Sequence, residues 1–199
     1  MSLLFETIRL ENGIPRHLAW HEQRMNRARG EIWHENDPVI LGPLIIVPAE
    51  FSSGLVRCNI MYGPGVQSIT FKHYEKRIIR SLKIVTSGFI DYHLKFTDRT
   101  LLETLFACRA ECDEIIIVNN GLITDTSMSN IIFSDGKSWY TPAQPLLKGT
   151  CRERLVAEGR LAEREIRAED VATFTGCKLI NAMRDPEEEI LIPVSQIVL

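Results

Sequence analysis

Residues Leu122–Arg152, LITDTSMSNIIFSDGKSWYTPAQPLLKGTCR, hold the densest run of structural signals in the chain. An apolar start ends at the acid Asp125, among the small hydroxylated residues Thr124, Thr126, Ser127 and Ser129. The apolar run Ile131-Ile132-Phe133 then turns at Ser134-Asp135-Gly136 and returns through Trp139-Tyr140. Asp-Gly between apolar runs predicts a β-hairpin, because both positions tolerate positive φ. The stretch closes on Leu147-Lys148-Gly149-Thr150-Cys151-Arg152, a Gly-Thr entry into a helix. Backbone N–H groups at such an entry lack intrahelical partners and can take an anion. An acid and a phosphate-sized anion site joined by a hairpin point to a phosphorylated ligand with a cationic end.

Composition bounds what surrounds this stretch. The chain has 199 residues, 45% of them apolar, enough for one large domain or two small ones with a substantial core. A formal charge of −3 argues against a nucleic-acid binder, which normally carries a basic excess. The five cysteines, Cys58, Cys108, Cys112, Cys151 and Cys177, show no C-x-x-C spacing, so no metal site is expected. Cys108 and Cys112 are expected on one buried helical face. An odd thiol count and no leader pattern lead us to expect a reducing, cytoplasmic setting. The longest apolar runs are too short to span a bilayer, so no membrane partner is expected.

Outward from the central stretch, Leu3–Leu10 alternates as a strand and Glu11-Asn12-Gly13 as a turn. A helix is predicted from about His17 to Trp33, with Leu18, Met25, Ala28 and Ile32 as its apolar stripe. Gly54–Tyr62 and Val66–His73 form a second hairpin, in which Arg57 interrupts an apolar run. That arginine is either a device to protect a sheet edge or an anion ligand, with the edge reading slightly favoured. The charged segment Glu75–Arg80 is the best linker, placing a small α+β domain at 1–79 and a larger β-rich domain at 80–199. The second part opens with Ser81–Thr86 and continues through Phe89–Arg99 into a helix with Leu101, Leu102, Leu105 and Phe106 at helical spacing, for which Asp98 is a candidate N-cap. Lys95, between Leu94 and Phe96, can be a snorkelling lysine or a desolvated amine suited to imine chemistry. Strands are expected at Glu114–Asn119, Leu161–Ile166, Cys177–Ala182 and near Glu189–Pro193, with a short helix near Ala168–Thr173.

In order and spacing these pieces resemble the class IV aminotransferases, the pyridoxal 5'-phosphate (PLP) enzymes of fold type IV. Phe5-Glu6-Thr7 resembles the opening of that family's first core strand, and His21-Glu22-Gln23-Arg24 its H-x-x-R helix motif. Ile123-Thr124-Asp125-Thr126-Ser127-Met128-Ser129-Asn130 resembles its V-T-E-x-x-x-x-N signature, and Leu147–Arg152 its phosphate cup. The resemblance implies a two-domain α+β fold like that of D-amino-acid aminotransferase, shortened at both termini, and a homodimer. It implies Lys95 as the Schiff-base lysine and general acid–base, Asp125 at the pyridine nitrogen, and Arg24 with the backbone N–H groups of Thr150 and Cys151 on the phosphate. The family usually has glutamate at the position of Asp125.

Two segments resemble 4-amino-4-deoxychorismate lyase more than the aminotransferases: Lys95-Phe96-Thr97-Asp98-Arg99 and Ile180-Asn181-Ala182. That implies cleavage of a small anionic, amino-acid-like substrate to 4-aminobenzoate and pyruvate, with Arg57, Arg99, Arg184 and Asn181 as candidate substrate ligands. Transamination between an amino acid and a 2-oxo acid is the alternative, and a PLP-binding relative without turnover a third.

Overall fold

The computed structural model describes residues 3–88 and 90–198, so Met1, Ser2, Phe89 and Leu199 of the expected segments lie outside it. The chain divides into two compact units, Met1–Lys76 with Leu94–Asp98, and Arg77–His93 with Arg99–Leu199. The division falls after 76 rather than 79, and the segment that carries Lys95 belongs to the first unit. The reason is backbone pairing: Phe5 N donates to Lys95 O (3.0 Å), Thr97 N donates to Leu3 O (2.9 Å), and Leu4 is bridged to Phe96. Sequence separation hides such a return.

The first unit contains β1 (Leu4–Glu11), β2 (Ile14–Pro15), α1 (Leu18–Trp33), β3 (Leu55–Tyr62) and β4 (Val66–His73). They form an antiparallel sheet in the order β2-β1-β3-β4. Asn12 and Gly13 both take positive φ (49° and 76°), as the tight turn after β1 requires. Alternation sends Leu4, Ile8 and Leu10 of β1 and Val56, Cys58 and Ile60 of β3 to one face, where they cluster with Met25 and Ala28 of α1. β3 is an interior strand, so Arg57 is not protecting an edge.

The second unit holds β5 (Leu82–Ser87), α2 (Thr100–Ala107), β6 (Glu114–Asn119), β7 (Leu122–Ile123), β8 (Asn130–Ser134), β9 (Trp139–Pro142), α3 (Thr150–Ala157), β10 (Ala162–Arg164), β11 (Gly176–Ile180), β12 (Ile192–Pro193) and β13 (Ile197–Val198). One sheet runs β13-β5-β6-β7 and the other β10-β9-β8-β11-β12. The two share a core in which Leu82, Ile116 and Val118 meet Ile131, Phe133 and Leu179. Near-continuous apolar runs on β6 and β8 fit strands buried on both faces. α2 departs from expectation at both ends. Arg99, not Asp98, holds its N-cap position without a side-chain bond, and the helix stops at Ala107. Cys108 is therefore exposed and Cys112 half-buried, in turns beyond the helix rather than on a buried face. No described helix is long and apolar enough to cross a membrane.

Candidate active site

Asp125 is held by its backbone before its side chain does anything. Ile117 N donates to Asp125 O (2.8 Å) and Thr124 N to Ile117 O (2.9 Å), tying the segment that follows β7 to β6. The carboxylate then closes a ring: Asn130 Nδ2 donates to Oδ1 (2.6 Å), and Leu147 N donates to Oδ2 (2.9 Å). Asn130 Nδ2 also donates to Leu147 O (2.8 Å), so one amide ties the acid to the loop before α3. Gly149 is needed here, because a Cβ at that position would lie 2.0 Å from Asn130 Oδ1. Burial pushes the Asp125 carboxyl up to about 6, against the opposing bonds from Leu147 and Asn130.

α3 begins at once after this ring. Gly149 caps it in extended conformation (φ −68°, ψ 143°) without a side-chain bond, and the first intrahelical bond is Glu153 N to Gly149 O (2.9 Å). The N–H groups of Thr150 and Cys151 thus open a helix whose N-terminus carries no side-chain cap. Arg152, 1% exposed, pins that end through Pro142 O (2.8 Å), Glu163 (2.6 Å) and Glu153 (2.5 Å). Burial raises the Cys151 thiol to about 11, so its contribution is its backbone N–H and not a thiolate.

Three residues converge on the Thr126–Ser129 loop that joins Asp125 to Asn130. Arg99 Nη2 donates to Ser127 O (2.6 Å), Ser127 N donates to Glu114 Oε1 (3.4 Å), and Asn181 Nδ2 donates to Ser129 Oγ (2.9 Å) and Met128 O (3.3 Å). Arg99 and Asn181, expected at the substrate, both bond the loop that carries the acid. Arg184 is 1% exposed and bonds Glu189 (2.7 Å) and the carbonyl of Arg77, which makes it part of the framework. Glu114 was not anticipated. It is fully buried, burial raises its pKa, and its Oε2 has no partner among the described residues. The only hint in the sequence is an acid placed directly before the apolar run of β6.

In the first unit, Lys95 lies with Nζ 4.5 Å from the centroid of the Phe5 ring. On the opposite, core-facing side of β1, Glu6 is fully buried beneath α1. Its Oε1 accepts from Arg24 Nε (2.8 Å), and its Oε2 from Arg24 Nη2 (2.5 Å) and His21 Nδ1 (2.7 Å). Burial alone would raise the Glu6 carboxyl, but the Arg24 charge and the bonds from His21 and Arg24 outweigh it and hold it at about 2. Glu6 thus orients Arg24, and the histidine of the H-x-x-R motif braces Glu6. Arg57 has no hydrogen-bond or ion-pair partner among the described residues.

A family model described as amino-transferase class IV matches residues 66–196. The chain belongs to the class IV aminotransferase family. A Haemophilus influenzae protein described as uncharacterized is 43% identical over 185 residues, covering 92% of this chain and 98% of its own. A Haemophilus somnus crystal structure, provisionally named a 4-amino-4-deoxychorismate lyase, is 37% identical with a TM-score of 0.86, covering 93% and 98% of the two chains. A Mycobacterium tuberculosis protein described as a hypothetical aminotransferase in PLP-bound form shares the fold, at 16% identity and a TM-score of 0.75 over 98% of this chain and 81% of its own. Class IV aminotransferases use PLP, and the donor set here fits that group. A buried acid stands in a hydrogen-bonded ring, and beside it is an uncapped helix start where glycine leaves room. A lysine amine lies against an aromatic ring.

Proposed function

We propose that the protein is a PLP-dependent lyase that cleaves 4-amino-4-deoxychorismate to 4-aminobenzoate and pyruvate. The observation that carries this reading is the end-to-end likeness to the Haemophilus somnus protein that bears the lyase name. Bound PLP supplies an electron sink for charge developing at the substrate carbon. Asp125 would keep a proton on the pyridine nitrogen, its carboxylate aimed by Asn130 and Leu147 N. The N–H groups of Thr150 and Cys151 would bind the phosphate, with Arg24, fixed by Glu6, as a further donor. Lys95 would hold the cofactor covalently through its ε-amine and, once displaced by substrate, carry the proton as base and then acid. The cleavage divides one molecule into two without a co-substrate, so all atoms of the products come from the substrate. The same proposal includes a cytoplasmic homodimer, which sedimentation of the purified protein would test.

A second reading, equally compatible with the class IV family match, is transamination between an amino acid and a 2-oxo acid. Purified PLP-loaded protein given aminodeoxychorismate should release 4-aminobenzoate, followed by its fluorescence. Absence of that product, with conversion of the cofactor to its pyridoxamine form by added amino acids, would replace the lyase with an aminotransferase. A protein that binds PLP but turns over neither would be a carrier.

A further inference from the structure

The second unit holds a buried acid that the chemistry proposed above leaves unused. Glu114 opens β6 opposite Leu82 of β5 and is fully buried. Its Oε1 accepts from Ile115 N (2.9 Å) and Ser127 N (3.4 Å), whereas its Oε2 is buried without a partner among the described residues. Arg77 favours its ionised form through space but directs its own Nη2 to Asp113 O (2.7 Å). A half-satisfied carboxyl in a core costs stability, and an apolar residue of similar volume would avoid that cost. Proteins keep such violations at functional places.

The carboxyl reaches the loop that joins the acid of the cofactor site to Asn130. Ser127 is held at both backbone atoms by side chains of matching sign, Glu114 on its N–H and Arg99 Nη2 on its carbonyl (2.6 Å). Ser127 sits in a loop that is tied to itself. Thr126 N and Oγ1 both donate to Ser129 O (2.9 and 3.0 Å), and Ser129 N donates to Thr126 Oγ1 (2.9 Å). The two ends of the loop are Asp125 and Asn130, bridged to each other and joined by the bond from Asn130 Nδ2 to Asp125 Oδ1 (2.6 Å). A displacement of Ser127 therefore passes to the Asp125 carboxylate and to the N–H of Leu147 that donates to it.

We propose that Glu114 is a positioning residue: by holding Ser127 N–H it fixes loop 126–129 and, through that loop, the aim of Asp125. It acts from the core and meets neither cofactor nor substrate. Its effect on cofactor binding rests on the reading of Asp125 as the acid that faces PLP, whereas the coupling from Glu114 to the Asp125 ring does not.

The test compares the wild type with Glu114→Met and Glu114→Gln. Methionine keeps the volume and removes the acceptor, whereas glutamine keeps an acceptor and removes the charge. In protein without cofactor, hydrogen exchange at the Ser127 and Leu147 amides is read against the amides of β11. It should be about fivefold faster in Glu114→Met, the worth of one hydrogen bond, and within about twofold of wild type in Glu114→Gln. The Kd for PLP, from titration of the visible band, should rise by a similar factor in Glu114→Met and stay near wild type in Glu114→Gln. A methionine variant that does not fold, or whose β11 amides speed up as much as Ser127 and Leu147, would make Glu114 merely structural and overturn the proposal. So would unchanged exchange at Leu147 in Glu114→Met, a glutamine variant as defective as the methionine one, or faster exchange with the Kd unmoved. If the wild type binds no PLP, the cofactor reading fails, and exchange at Leu147 still decides the coupling.

Discussion

Glu6→Gln exposes the physics of the first unit most sharply. Glu6 is fully buried, and its two oxygens take three charge-assisted bonds from Arg24 and His21. Its carboxyl titrates at about 2 in the folded protein against an ordinary 4.5. At about 1.4 kcal/mol per pH unit, that difference is worth about 3 kcal/mol of folding stability. Removing one partner of a buried ion pair costs about 3–5 kcal/mol, which agrees. The sign follows from proton uptake. Between 4.5 and about 2 the unfolded chain binds the proton first, so this stability is present in full above 4.5 and is lost as pH falls toward 2. Urea unfolding of wild type and Glu6→Gln should therefore differ by about 3 kcal/mol at pH 7 and converge as pH falls below 4. Equal stability at pH 7, or a gap that does not shrink on acidification, would refute the reasoning.

Four further outcomes are expected. Gly149→Ala places a methyl 2.0 Å from Asn130 Oδ1 and should displace that amide, costing about 1–3 kcal/mol and weakening PLP binding, both measurable by urea midpoint and cofactor titration. Asp125 titrates at about 6 in the folded protein against 3.8, so its burial lowers stability as pH rises from about 4 to 6, by about 3 kcal/mol in the protein without cofactor. Asp125→Asn should remove that slope from the pH–stability curve. Arg99→Ala should lower both the unfolding free energy from urea titration, by about 1–2 kcal/mol, and PLP affinity, because its bond to Ser127 O braces the acid's loop. A substrate ligand at Arg99 would instead raise KM and leave both unchanged.

Local chemistry made much of this legible. Asp135-Gly136 announced the β8–β9 hairpin, and the alternation of Leu4, Ile8 and Leu10 gave β1 its inward face. The ring around Asp125 was legible as a motif, since Asn130 and Leu147 belong to the same quoted stretch, although its bonds were not. What escaped the sequence is non-local. Arg57 is no edge guard because β3 lies between β1 and β4, a fact of strand order. Arg184 meets the Arg77 carbonyl and Asn181 meets Ser129, pairings that no spacing rule encodes. Glu6 was quoted as part of a strand motif, but its role depends on α1 lying over that strand with His21 and Arg24 turned inward. The α2 cap failed for a different reason. Lys95–Asp98 is drawn to β1 by backbone pairing, which leaves Arg99 and not Asp98 at the helix start.

The proposed chemistry depends on one amine. Protein incubated with PLP, reduced with borohydride and digested should carry a pyridoxyl group on the peptide containing Lys95, and Lys95→Ala should carry none. A pyridoxyl group on any other lysine of the wild type, or undiminished labelling of Lys95→Ala, would contradict it.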